Sequence, residues 1–226
     1  MFKDERFSLK MHLINKTKNF LLILLLVTTI SGCSKEEIST DKVQKVDLVE
    51  VVKLDSTILF DIHYATTNNF MEEKLYPVAR CFLRREVAER LSHIQKALRE
   101  EGLGLKIWDG YRPLSVQWKM WEKVSDPKYV ADPRKGSRHN RGCAVDVTLV
   151  DAAGNELEMP TGYDDFTEKA HRNYMQLPPE VIKNRQILET AMTREGFIPL
   201  PSEWWHFDDP NWEKYNLLDI PLEKVN

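Results

Sequence analysis

Leu83, Val87, Leu91, Ile94 and Leu98 recur at spacings of four, four, three and four, which lines one face of a helix, and Gly102 supplies its stop. Leu103, Leu105 and Ile107 then alternate, the period of a half-buried strand. A helix handed to a strand within a few residues commits the chain to a layered fold in which helices cover a sheet. Val46 to Leu54 and Thr57 to Tyr64 are rich in β-branched and aromatic residues and are expected as strands. Pro113 restarts a helix to about Val124, followed by a polar loop from Ser125 to Arg141. Ala144 to Val150 reads as a strand closed by a turn over Asp151 to Asn155. A helix follows from Pro179 to Gly196, and Phe197 to Asp208 is expected as a closing strand. Strands and helices do not alternate as regular βαβ units. The expectation is therefore an α+β single domain over residues 46–226, a mainly antiparallel central sheet flanked by helices.

The front of the chain has a different character. Lys10, Lys16 and Lys18 precede an eleven-residue apolar run, Phe20 to Ile30, and Ser31-Gly32-Cys33 follows. The run is about half the ~20 residues a spanning helix needs. With its small residues and cysteine, it resembles a bacterial lipoprotein signal. Residues 1–32 are expected to be removed, Cys33 to be lipidated, and residues 33–45 to serve as a polar tether to a membrane in the cell envelope. The removed segment carries five basic and two acidic residues, so the formal charge goes from −3 to −3 − 3 = −6 over 226 − 32 = 194 residues. That balance gives no basic footprint for nucleic acid. A mean hydropathy of −0.45 excludes a polytopic membrane protein, and three cysteines are too few for a disulfide scaffold. Cys81 and Cys143 could pair in an oxidising compartment, but nothing in the sequence fixes their distance.

Chemistry concentrates in two stretches. In Ser137-Arg-His139-Asn-Arg-Gly142-Cys-Ala-Val-Asp146 a histidine and a carboxylate stand seven apart with a glycine between them, which suits a turn feeding a strand. Taken alone, Asp146 reads equally well as a buried hydrogen-bonded carboxylate and His139 as a loop residue. In Ser202-Glu203-Trp-Trp-His206 an acid and a histidine stand three apart among aromatics, and alone this reads slightly better as core packing. Together, His139, Asp146 and His206 make an N/O ligand set suited to Zn²⁺ with a fourth position left open, as catalytic sites require. Glu203, beside a ligand but not needed as one, suits the role of base toward a metal-activated water.

With Tyr64-Ala-Thr-Thr-Asn-Asn-Phe70, Trp108-Asp-Gly-Tyr-Arg-Pro113 and Asp165-Phe166 added in the same order, the chain resembles the VanX-type D-alanyl-D-alanine dipeptidase family over about residues 50–210. The resemblance implies one Zn²⁺ per chain on His139, Asp146 and His206, Glu203 as general base, and Arg112 on the scissile carbonyl. The role of Arg112 also makes physical sense, since a preorganised guanidinium stabilises the oxyanion that develops there. The resemblance further implies Asp165 for the substrate ammonium, with Asp164 adjacent as an alternative, and Tyr64 and Ser137 along the substrate pocket. The chain departs from the family in location: VanX-type enzymes act in the cytoplasm, whereas this one carries an apparent export signal. Two other functions stay open, a zinc carboxypeptidase trimming D-Ala from peptidoglycan stems and a non-catalytic zinc- or wall-binding lipoprotein. Intact Glu203 and Arg112 speak against the latter.

Overall fold

A computed structural model describes residues 46–226. The expected signal, Cys33 and the tether lie outside the described residues. Within them no helix is long and apolar enough to cross a membrane.

The elements in chain order are β1 (Leu48–Glu50), α1 (Val51–Leu54), β2 (Leu59–Phe60), β3 (Phe82–Arg84), α2 (Arg85–Glu100), β4 (Leu103–Asp109), α3 (Leu114–Lys123), β5 (Ala144–Asp151), α4 (Pro179–Arg194), β6 (Ile198–Pro199) and β7 (His206–Asp208). Five strands form the central sheet in the order β2-β4-β5-β7-β6, while β1 and β3 pair separately. β2 runs parallel to β4 and the other neighbours are antiparallel, so the expected mainly antiparallel sheet carries one parallel edge.

The apolar stripe of α2 does what its spacing requires. Val87, Leu91, Ile94 and Leu98 are buried with Leu105 and Ile107 of β4 and Val147 and Leu149 of β5 in one core. Gln95, on the same helix, is buried because its amide is fully used. Its Oε1 accepts from the Leu105 amide at 2.7 Å and its Nε2 donates to the Thr57 carbonyl at 2.9 Å. Gly102 takes φ +75°, the left-handed turn that lets α2 end and β4 begin at once.

Three expectations at the strand ends are corrected. The segment Val46 to Leu54 contains only a three-residue strand before the chain turns into α1, and Thr57 to Tyr64 contains only β2 before a 3₁₀ turn at His63–Ala65. β2 is an edge strand with a single neighbour, so little pairing is available to extend it. The expected closing strand Phe197 to Asp208 is two short strands, β6 and β7, paired with each other. Pro199 and Pro201 lack the amide hydrogens a continuous ladder would use. Leu83 lies in β3, two residues before the helix starts.

Two irregularities aim residues at one place. The β4–β5 register shifts between Ile107 and Asp109, and beyond the shift Asp109 stands opposite Asp146. Gly142, at φ +70°, ends the 3₁₀ turn His139–Arg141, and a Cβ there would lie 2.6 Å from Leu48 Cδ2. Only glycine meets both demands.

Candidate active site

Asp146 sits in β5 directly opposite His206, the first residue of β7, so the sheet itself brings a carboxylate and an imidazole together. His139 joins them from the 3₁₀ turn that precedes β5. That turn is tied to the strand-end loop by the Arg112 amide donating to the His139 carbonyl at 3.1 Å. His139 Nε2 lies 3.2 Å from His206 Nδ1 and 3.4 Å from Asp146 Oδ2, and His206 Nδ1 lies 3.0 Å from Asp146 Oδ1.

The far sides of both rings decide which nitrogens are free. His139 Nδ1 faces the Gly110 carbonyl at 2.8 Å, and a carbonyl only accepts, so Nδ1 carries the hydrogen and Nε2 keeps a lone pair. His206 Nε2 faces Asp208 Oδ1 at 2.9 Å, which by the same logic leaves the lone pair on Nδ1. Those two nitrogens and an Asp146 oxygen lie within 4.8 Å of one another, all three residues buried. Two lone pairs and a carboxylate turned on one point repel unless a cation or a proton lies between them. The donor set therefore fits Zn²⁺, with one coordination position left for chemistry.

The electrostatics of the metal-free protein agree. Burial lowers the His206 pKa, but hydrogen bonds to Asp146 and Asp208 outweigh it and push the value up to about 10. Burial opposes ionisation of Asp146, yet the two histidines hold it well below the usual carboxylate range. Tyr163 donates its hydroxyl to Asp146 Oδ2 at 2.8 Å and fixes the carboxylate from the other side.

Glu203 lies in the loop before β7, its Oε2 3.9 Å from His206 Nδ1. Burial raises its pKa first and Asp146 adds to this, against the pull of His206, His139 and Arg112. A carboxylate made more basic than usual, beside these candidate donors, is the better proton acceptor for it. Arg112 is buried and held rigidly. Its Nε and Nη2 donate to Asp109 Oδ2 at 3.1 and 2.8 Å, its Nη1 donates to Gln117 Oε1 at 2.9 Å, and its Cζ lies 5.0 Å from the Tyr64 ring centroid. Tyr76 donates to the second oxygen of Asp109 at 2.8 Å. Of the five guanidinium hydrogens three are used, which leaves donors for a ligand.

These groups line a cavity of about 210 Å³, smaller than the ~300–1,000 Å³ usual for drug-sized ligands. Tyr64, Arg112, Ser137, His139, Asp146, Glu203 and His206 all border it, so every expected site residue from 64 to 206 is present except one. Asp165 is not on the cavity; its Oδ1 accepts from the Thr167 amide at 2.8 Å in a local turn. The wall residue is Asp164, which at φ +56° turns into the cavity and accepts the Tyr64 hydroxyl at 3.0 Å. Burial, reinforced by Asp146 and Glu203, raises its pKa to about 8. Ser137 also braces the metal-donor turn, its Oγ accepting from the His139 amide at 3.2 Å. Cys81 and Cys143 are both buried and form no disulfide among the described residues, and burial pushes both thiols up.

Sequence reasoning passed over Asp208, Tyr163, Asp109 and Gln117. Asp208 was within reach, since two residues apart on a strand share a face and His206 was already a ligand candidate. Tyr163 and Gln117 come from distant loops and helices and leave no such signal.

The family model described as D-ala-D-ala dipeptidase matches residues 43–219. A D-alanyl-D-alanine dipeptidase of Escherichia coli (strain K12) is 37% identical over 172 residues, covering 76% of this chain and 89% of that protein. Namesakes from Enterococcus faecium and Streptomyces coelicolor are 30% and 28% identical, covering 74% and 78% of this chain and 93% and 98% of theirs. With the match spanning the fold and the site together, the chain belongs to the D-Ala-D-Ala dipeptidase family of metallopeptidases.

Proposed function

We propose that this protein hydrolyses the free dipeptide D-alanyl-D-alanine to two molecules of D-alanine. The observation that carries this is the convergence of His139 Nε2, His206 Nδ1 and Asp146, with Glu203 3.9 Å from His206, at the wall of a small cavity in a chain of this family. His139, Asp146 and His206 would hold Zn²⁺, which supplies Lewis-acid activation of water and polarisation of a carbonyl.

The remaining work falls to the protein's own groups. Glu203 takes a proton from the attacking water as its oxygen bonds to the scissile carbonyl carbon. The free N–H groups of Arg112 face the oxygen on which negative charge develops. Glu203 then returns the proton to the leaving amine as the C–N bond breaks, which releases one D-alanine as the acid and one as the amine. The substrate ammonium docks at Asp164, whose carboxyl, with a pKa of about 8 in the free site, releases its proton to solvent as the cation arrives, and the Tyr64 hydroxyl steadies the carboxylate.

The site's setting in the cell is part of the proposal. The apolar run Phe20 to Ile30 followed by Ser31-Gly32-Cys33 supports a lipid-anchored protein in the cell envelope, where it would meet dipeptide released during wall turnover. Replacing Cys33 by alanine should then move the protein from the membrane to the soluble fraction.

Purified, zinc-loaded protein given D-Ala-D-Ala or a stem-length peptide ending in D-Ala-D-Ala separates the readings. D-Alanine release from the dipeptide alone is expected. Release mainly from the longer peptide would make this a carboxypeptidase.

A further inference from the structure

Arg138 borders two adjoining cavities. One is the catalytic cavity; the other, of about 590 Å³, is walled by Trp121, Arg134, Lys135, Arg141 and Trp212. The cations of this second cavity are unequally compensated. Arg134 is paired through two hydrogen bonds to Asp132, at 2.8 and 2.7 Å. Among the described residues Arg141 donates only to a neutral acceptor, the Tyr215 carbonyl. The region therefore keeps a positive potential that low-dielectric walls concentrate.

Within that region Arg138 has unmet donors. Its guanidinium rests on the Trp212 ring, Cζ 4.7 Å from the centroid. Its Nε is shielded from water yet has no hydrogen-bond partner among the described residues. The carboxylate next to it, Asp208 Oδ2, stands 3.6 Å away, and the other oxygen of Asp208 is taken by His206. The other cations of the catalytic cavity are differently placed. Arg112 is braced by Asp109 and Gln117 and its remaining donors serve the scissile carbonyl in the mechanism above, and Lys128 lies over the Tyr129 ring with Nζ 5.1 Å from the centroid.

A dipeptide with a free C-terminus ends in a planar carboxylate, the shape a guanidinium fork accepts through two parallel hydrogen bonds. Asp164 is tied to Tyr64, whereas Arg138 leans on Trp212 and Asp208, so the two charges of a dipeptide have separate receivers. Resting on the dipeptidase reading above, we infer that Arg138 receives the substrate's C-terminal carboxylate and so restricts the site to substrates that end one residue beyond the scissile bond. The basic cavity behind it strengthens the attraction and disfavours a neutral or amidated terminus.

The test is equilibrium binding, with turnover recorded separately. D-Ala-D-Ala and D-alanyl-D-alaninamide are titrated by calorimetry into zinc-loaded Glu203→Gln protein carrying Arg138, Arg138→Met or Arg138→Lys, with folding checked by thermal melts. With Arg138 the acid should bind about 10- to 100-fold more tightly than the amide, the range for a charge-assisted hydrogen-bonded pair. Arg138→Met should bring the ratio near one, and Arg138→Lys should restore part of it, because charge remains and the fork is lost. Equal binding of acid and amide with Arg138 present, or undiminished preference in Arg138→Met, overturns the inference whatever the protein hydrolyses. Failure of the Glu203 protein to cleave D-Ala-D-Ala, with the binding preference intact, would instead sink the dipeptidase reading alone.

Discussion

Asp208 Oδ1 lies 2.9 Å from His206 Nε2, on the side of the ring away from Asp146, and so decides which nitrogen of His206 is available to a metal. Asp208→Ala leaves the ring free to place its hydrogen on either nitrogen. Zinc affinity should fall about 10- to 100-fold, the usual effect of removing such an outer carboxylate. Competition against a chromophoric chelator measures it, and Asp208→Asn, whose amide oxygen still accepts, should recover part of the loss. Parental affinity in Asp208→Ala would mean that the ring is oriented by something else.

Glu203 and His206 stand 3.9 Å apart but should fail in different ways. Glu203→Ala is expected to bind a full equivalent of zinc and to lose about 10²- to 10⁴-fold in kcat, the span of general-base catalysis. His206→Ala should lose the metal itself. Metal analysis beside steady-state kinetics separates the two, and a Glu203→Ala enzyme with near-parental turnover would remove Glu203 from the mechanism.

Metal uptake should be linked to pH. With a pKa pushed up to about 10 in the metal-free protein, His206 carries a proton at neutral pH that must leave before Nδ1 can ligate. Zinc affinity should therefore rise as pH increases toward 10, with close to one proton released from this ring per ion bound at pH 7. Calorimetry in buffers of different ionisation enthalpy counts the protons. Uptake without proton release would contradict the raised pKa.

Asp164 sets binding against stability. Its folded pKa of about 8 lies above the ordinary value near 4, so between those limits the folded chain holds a proton that the unfolded chain has lost. This contribution is fully present below about pH 4 and is lost as pH rises through about 8. Asp164→Asn removes that dependence, and in metal-free protein its gain in Tm over the parent should grow from pH 5 to pH 8. The same change should raise KM for D-Ala-D-Ala about 10- to 100-fold by leaving the ammonium without an anion. A Tm difference independent of pH would show that Asp164 is not buried as described.

The long elements were legible because each carries its own period. The α2 stripe from Val87 to Leu98 and the β-branched run of β5 needed no knowledge of their partners. β2, β6 and β7 have two or three residues each, and their lengths follow from neighbours far away in sequence. The candidate donors His139, Asp146 and His206 were legible only together, as an N/O set, because each stretch alone reads as well or better as a structural feature. The exchange of Asp165 for Asp164 was not, since it turns on one residue adopting φ +56°, which a non-glycine side chain rarely does. The partners of Arg112 were hidden differently: Asp109 lies within the Trp108 to Pro113 segment, but only the register shift in β4 shows where it points.

Asp146 and His206 are directly opposed across β5 and β7, and β7 is held on its other side only by the two-residue β6. The site thus exists only while this short outer ribbon is zipped in correct register. An ion gripped by both strands would act as a rivet, and fraying of the sheet edge would release it. Zinc dissociation should consequently be an early event in unfolding, and free zinc should protect the ribbon from exchange with solvent deuterium by mass action.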